Sequence, residues 1–229
     1  KLIEAAKSGR NQDLARTLEN TYAAYREGCA CDAIHDAPFL SNHDQERVMS
    51  QLDGNMQHMR VAAAMLLTLP GEPYIYYGEE LGMRGKKPDP ELRTPMRWDR
   101  STKAHGEATW EATSPSNGEA ISVAAQRDDP HSLLNLYRRL IHWRIAIPAL
   151  REGGFSAYPE ASDHLLAYQR TLPQGGVLVV HNLSDKAQTM TLDVPGKPSF
   201  TRILKQTAQG ASLDGVVLTV PAYDSVVLQ

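Results

Sequence analysis

The chain has 229 residues, 41% of them hydrophobic and 22% charged, with a formal net charge of −3; that is ordinary globular material, enough for one large domain or two smaller ones. The near-balanced charge, with no long basic run, argues against nucleic acid and anionic membrane surfaces as partners. The longest apolar helix candidate, residues 61–69, is flanked by Arg60 and stopped by Pro70-Gly71, short of the roughly 18 residues a membrane span needs. Cys29 and Cys31 are separated by one residue, a poor geometry for bridging to each other, and no clustered histidines accompany them. They read as two reduced, buried thiols, and the sequence implies no metal site and no cofactor. No basic-then-apolar signal segment opens the chain. It starts at Lys1 without Met, so localisation stays open.

In chain order, residues 11–27 read as an amphipathic helix, with Leu14, Leu18, Tyr22 and Tyr25 at helical spacing and Gly28 as a stop. Residues 37–41 read as a short buried parallel strand, followed at once by Asn42-His43-Asp44. Residues 55–69 form a second helix with Met59, Ala63, Leu66 and Leu67 inward, broken by Pro70, Gly71 and Pro73. The β-branched and aromatic run Tyr74-Ile75-Tyr76-Tyr77 is a second buried strand, ending in Gly78-Glu79-Glu80. Residues 82–122, rich in Gly, Pro, Lys, Arg and Ser, read as one long functional loop. Asp129-Pro130 is a cap and first turn for a third helix, whose stripe is Leu133, Leu136, Tyr137, Leu140 and Ile141. Pro148 ends it.

Past Pro148 the pattern changes. Short strand candidates at 165–170, 177–183, 188–194, 200–204, 216–220 and 225–228 are separated by Gly, Pro, Asn and Asp, the pattern of an antiparallel β-sandwich. The boundary falls near 148–153, giving one unit over 1–148 and a second over 149–229. The first unit holds only two parallel strands. Two such strands leave unpaired edges and close neither a barrel nor a stable open sheet, so the unit reads as lacking a partner.

Four segments carry a family resemblance. Phe39-Leu40-Ser41-Asn42-His43-Asp44-Gln45-Glu46-Arg47 resembles the fourth conserved segment of the α-amylase superfamily, glycoside hydrolase family 13. Residues 69–83, containing Tyr76-Tyr77-Gly78-Glu79-Glu80-Leu81-Gly82, resemble that family's last barrel strand and the loop after it. Arg93-Thr94-Pro95-Met96-Arg97-Trp98-Asp99 is similar to a segment of the oligoglucosidase-like members. Residues 220–228 resemble the end of the family's C-terminal sandwich. In this order the four identify the chain as a member over essentially its whole length. The implied fold is α/β plus all-β: the last strands and helices of a (β/α)8 barrel, then an antiparallel β-sandwich.

The resemblance also implies chemistry. In such barrels the reacting groups sit at the C-terminal ends of strands, where Asp44 and Glu79 fall. Retaining cleavage of a glycosidic bond uses one carboxylate as nucleophile and a second carboxyl as acid/base, roughly 5–5.5 Å apart. Asp44 resembles the family's third carboxylate, which stabilises the transition state by bonding sugar hydroxyls. On its own, Asp44 would read as an N-cap for the next helix; the flanking matches favour the catalytic role. His43 resembles the neighbouring sugar-binding histidine. Arg47 and Arg97 are candidate substrate-binding arginines; a solvated helix face and loop packing are their ordinary alternatives. Arg47 is placed to pair with Asp44. Arg93 and Trp98 lie on the same loop over the mouth. Glu79 and Glu80, adjacent on a strand, point to opposite sides, and at least one of them reads as a structural hydrogen-bonding group at the barrel mouth; Tyr76 and Tyr77 read as core and wall.

No segment before Asn42 resembles the nucleophile or the acid/base. The resemblance therefore implies an α-glucan oligosaccharide as substrate and an N-terminal barrel portion as partner, the 229 residues being inactive alone. An exposed edge at residues 37–41 would self-associate or hold that portion. Two rivals are weighed. A carbohydrate-binding or interaction module needs solvent-facing aromatics, but residues 149–229 offer Phe155, Tyr158, Tyr168, Phe200 and Tyr223 and no Trp. A transglycosylase or isomerase such as a trehalose synthase shares similar segments.

Overall fold

The computed structural model describes residues 1–29, 36–112, 114–158, 162–194, 196 and 198–229. The expectation for Cys29 and Cys31 lies outside what it describes. The chain opens with a helix that the sequence reading did not separate, α1 (Leu2–Ser8), closed by Gly9 in the left-handed region. The expected amphipathic helix is α2 (Leu14–Cys29), starting three residues later than its periodicity implied.

Residues 37–41 and 74–77 are not buried strands. They meet in one parallel bridge, Phe39 to Tyr74, supported by Tyr74 N–H donating to the Pro38 carbonyl at 2.9 Å and Glu72 N–H to the Asp36 carbonyl at 2.7 Å. Phe39 is 44% and Tyr74 61% exposed. A pair of extended segments with no further neighbour among the described residues forms no ladder and covers neither face. Between them lie α3 (Val48–Gln51) and α4 (Met56–Thr68), the latter capped by the Asn55 side chain accepting from Gln57 and His58 N–H. Helix α4 is buried all round from Val61 to Thr68, as a central helix must be.

Glu79–Leu81 is a 3-10 turn, not a strand end. The long segment after it contains α5 (Asp89–Leu92) and α6 (Val123–Gln126) and is pinned internally: the Asn117 side chain exchanges hydrogen bonds with the Arg84 backbone at 2.8 and 3.1 Å. Helix α7 (Leu133–Ala146) is capped by Ser132, whose hydroxyl accepts from Asn135 N–H. Asp129 instead closes the preceding turn, accepting from His131 N–H at 2.8 Å. Pro148 begins a further short helix, α8 (Pro148–Glu152).

The rest is an antiparallel two-sheet sandwich. With β1 (Gly154–Ala157), β2 (Leu165–Leu172), β3 (Gly175–Asn182), β4 (Gln188–Thr191), β5 (Ile203–Gln206), β6 (Ser212–Asp214), β7 (Val217–Val220) and β8 (Ser225–Leu228), the sheets run β1-β2-β3-β8-β5 and β4-β7-β6. Strands β1 and β6 were not expected, and β5 lies three residues beyond its expected start, with a register shift between Ile203 and Lys205. The larger sheet is buried on both faces. Leu166, Tyr168, Val177, Val179 and Val227 join the core formed by α4 and α7. The alternate residues Leu165, Ala167, Leu178, Val180, Val226 and Leu228 face Met190, Leu218 and Val220 of the smaller sheet. The period of two along a strand assigns each residue to one core or the other.

Two buried arginines, Arg144 of α7 and Arg170 of β2, serve the C-terminal end of α4, where helix carbonyls lack intrahelical donors. Arg144 donates to the Leu69 carbonyl at 2.7 Å, to Leu67 at 3.2 Å and to Gly71. Arg170, 0% exposed, donates to the carbonyls of Thr68 at 2.7 Å, Leu150 at 2.9 Å and Gly153 at 2.8 Å.

Candidate active site

The bridged segment delivers Leu40, 3% exposed, and Ser41, 2% exposed, into the core, then turns outward. Asn42 makes the turn: its side-chain oxygen accepts from Asp44 N–H at 2.9 Å and its carbonyl from Gln45 N–H at 3.3 Å, an Asx turn that presents the next two side chains to solvent. The His43 and Asp44 side chains are 63% and 62% exposed, and His43 Nε2 lies 3.3 Å from Asp44 Oδ2.

The arginine that reaches Asp44 is Arg93. Its Nη2 lies 3.1 Å from Asp44 Oδ1 and 3.0 Å from Asp89 Oδ2, and its Nε donates to the His43 carbonyl at 3.0 Å. Lys87 in turn pairs with Asp89 and holds that carboxyl below its ordinary range. An exposed chain of alternating charge thus runs Lys87, Asp89, Arg93, Asp44, with His43 beside its end.

Arg47 does not pair with Asp44 and is not on a solvated face. It is 1% exposed, with its guanidinium carbon 4.7 Å from the Tyr76 ring centre and 4.8 Å from that of Tyr77. Its Nη1 donates to the Tyr77 carbonyl at 2.7 Å, and burial lowers its pKa. Arg97, 3% exposed, is also turned inward, donating to the carbonyls of Asn117 at 2.7 Å and Arg100 at 2.8 Å. Trp98 beside it is 58% exposed. Arg93 and Arg97 sit in one motif, and sequence gave no means of telling which faces outward.

Below the mouth, Glu79 is 2% exposed and accepts from the Tyr137 hydroxyl at 2.7 Å. Desolvation raises its carboxyl to about 8, the Tyr137 hydrogen bond opposing; burial also raises Glu80. Burial thus favours the neutral form of Glu79, which the Tyr137 hydrogen bond ties to α7. Among the described residues no three His, Cys, Asp or Glu side chains come together to hold a metal ion, and no helix is long and apolar enough to cross a membrane.

Residues 2–153 match the family described as "Alpha amylase, catalytic domain", and residues 165–227 match "Alpha-amylase SusG C-terminal domain". The α-amylase SusG of Bacteroides thetaiotaomicron is 37% identical over 223 residues, covering 93% of this chain and 31% of that protein. A trehalose synthase of Thermus thermophilus is 34% identical over 197 residues, covering 80% of this chain and 20% of that protein. Among solved structures, an α-amylase from H. orenii superposes with a TM-score of 0.87 at 33% identity, covering 99% of this chain and 46% of that one. The chain spans about a third of the length of the first curated relatives it matches.

Proposed function

We propose, from the premise that this chain belongs to the α-amylase family of glycoside hydrolases, that it is the distal part of a retaining enzyme cleaving α-glucosidic bonds in starch-type oligosaccharides. The observation that carries the reading is the exposed His43–Asp44 pair, held at the end of a bridged segment by Arg93. Asp44 accepts hydrogen bonds from the hydroxyls of the sugar undergoing cleavage, and those bonds strengthen as the ring takes on oxocarbenium character. His43 donates to the same sugar. Arg93 orients the Asp44 carboxylate. Arg47 and Arg97, candidates for the substrate from sequence, belong in this reading to the scaffold, because each is buried and donates inward to backbone carbonyls.

Groups that only stabilise a transition state generate no reaction without a nucleophile and a proton donor. Glu79 supplies neither, being buried against Tyr137. In this reading the nucleophile and acid/base come from a further barrel portion, and the 229 residues alone are inactive. The test is hydrolysis of a chromogenic malto-oligosaccharide by the intact enzyme and by its Asp44→Asn variant. A loss of about a hundredfold or more in kcat, with the 229-residue chain inert, is the expected result; an unchanged rate in the variant would sink the assignment. The likeness to a trehalose synthase supports a second reading, a transglycosylase or isomerase that forms trehalose, which product analysis separates: free glucose and shorter oligosaccharides for hydrolysis, trehalose for the alternative.

A further inference from the structure

We infer that Arg47 is the positioning residue of this site: without touching sugar, it locks the segment bearing His43 and Asp44 to the segment bearing Tyr76 and Tyr77. The inference rests on the function proposed above and assigns Arg47 a different task from sugar binding.

The segment that presents Asp44 is held by the two hydrogen bonds of the Asn42 turn, by Arg93 and by the Gln51 amide donating to the Glu46 carbonyl at 2.6 Å, while its two functional side chains stand in solvent. Three residues past Asp44 the situation reverses. Arg47 N–H donates to the Gly85 carbonyl at 3.0 Å, and its side chain runs inward past Gly85, where an added Cβ would lie 3.3 Å from Arg47 Cδ. The guanidinium then lies against both tyrosine rings, which themselves pack with centres 4.7 Å apart, and donates to the Tyr77 carbonyl.

The rings are themselves anchored. The Tyr76 hydroxyl donates to the Leu92 carbonyl at 3.2 Å and the Tyr77 hydroxyl to the Thr94 carbonyl at 2.9 Å. Those two carbonyls flank Arg93, the residue that grips Asp44. The contacts therefore close a ring: Asp44 to Arg93, Arg93 through its neighbours to Tyr76 and Tyr77, the tyrosines to Arg47, and Arg47 back along three residues to Asp44. Asp44 cannot swing without breaking either its ion pair or the tyrosine clamp.

A guanidinium suits the clamp. It is planar, stacks against aromatic faces and donates in its own plane at the same time, whereas an ammonium is a compact point charge. The arrangement is more than a plug. Two of its nitrogens, Nε and Nη2, have no hydrogen-bond partner among the described residues, a cost that an apolar side chain of similar length would avoid.

The experiment compares Arg47→Lys, Arg47→Met and the milder Tyr76→Leu with wild type in the intact enzyme, reading kcat, KM, melting temperature and amide exchange over residues 42–46. Expected are a fall in kcat of about tenfold or more, since small misplacements of a reacting group cost rate steeply, a KM within about twofold, and faster exchange confined to residues 42–46. Lys should rescue no more than Met. A raised KM with kcat kept would make Arg47 a sugar ligand and overturn the inference. So would a lowered melting temperature with kinetics and local exchange unchanged, which describes a structural residue only. If the Arg47 variants do not fold, Tyr76→Leu decides by the same readouts. Should the wild-type enzyme act on no α-glucan, the proposed function fails, while the exchange comparison still decides the role of Arg47.

Discussion

The Tyr168 hydroxyl lies 2.7 Å from the Thr68 hydroxyl, joining a sandwich strand to the end of α4 across 100 positions of sequence. The contact continues inward: Tyr168 Oη lies 3.0 Å from His181 Nε2, and His181 Nδ1 lies 2.8 Å from Ser225 Oγ. Every member is buried, so the network is held where hydrogen bonds count for more than in water and unpaired groups are costly.

His181 makes stability depend on acid. Burial drives its pKa from 6.5 to about 3, so between these values the unfolded chain binds a proton that the folded chain refuses. The group's contribution is fully present above about pH 6.5 and is lost as pH falls toward 3, by about 1.4 kcal/mol per unit. The melting temperature of the intact enzyme should fall from pH 7 to pH 5. In His181→Asn the fall should be shallower, even though the variant starts lower. An equal slope in both would refute the assignment.

Among the described residues no carboxylate is a hydrogen-bond partner of Arg170; it serves the carbonyls of Thr68, Leu150, Gly153 and Gly154. Arg170→Lys keeps the charge but cannot serve these acceptors together. The expected loss is about 3 kcal/mol, read as a lowered urea midpoint with an unchanged slope.

Glu79 works in the opposite pH direction. Its carboxyl, raised from 4.5 to about 8 by burial, is favoured neutral in the fold. Its contribution is therefore fully present below about pH 4.5 and is lost as pH rises through 8. Glu79→Gln keeps an oxygen for the Tyr137 hydroxyl and carries no charge. The variant should be at least as stable as wild type at pH 8, and denaturant melts at pH 5 and pH 8 should differ less for it.

Arg93 separates activity from stability. Its ion pairs with Asp44 and Asp89 are exposed, and such solvent-screened pairs contribute little to stability. Arg93→Leu should leave the melting temperature within a few degrees and lower kcat/KM about tenfold or more. A large drop in melting temperature with kcat/KM retained would remove Arg93 from the site.

The sequence by itself determined the family, the two-part organisation, the central helix and most sandwich strands, because each is a local pattern. Apolar residues recur at helical or alternating spacing, and Asn42-His43-Asp44 and Arg93-Thr94-Pro95 are contiguous motifs whose meaning travels with them. It could not show that residues 37–41 and 74–77 meet in a single bridge, since a ladder depends on neighbours and not on propensity. Nor could it rank the arginines. Arg47, Arg93 and Arg97 are one residue type in motif positions of equal promise, and which is buried against the tyrosine pair, which grips Asp44 and which laces its own loop follows from where the chain passes. Likewise Thr68, Tyr168, His181 and Ser225 carry no shared motif. Only tertiary packing brings them within hydrogen-bond reach, because a polar group removed from water must find its partner in space rather than along the chain.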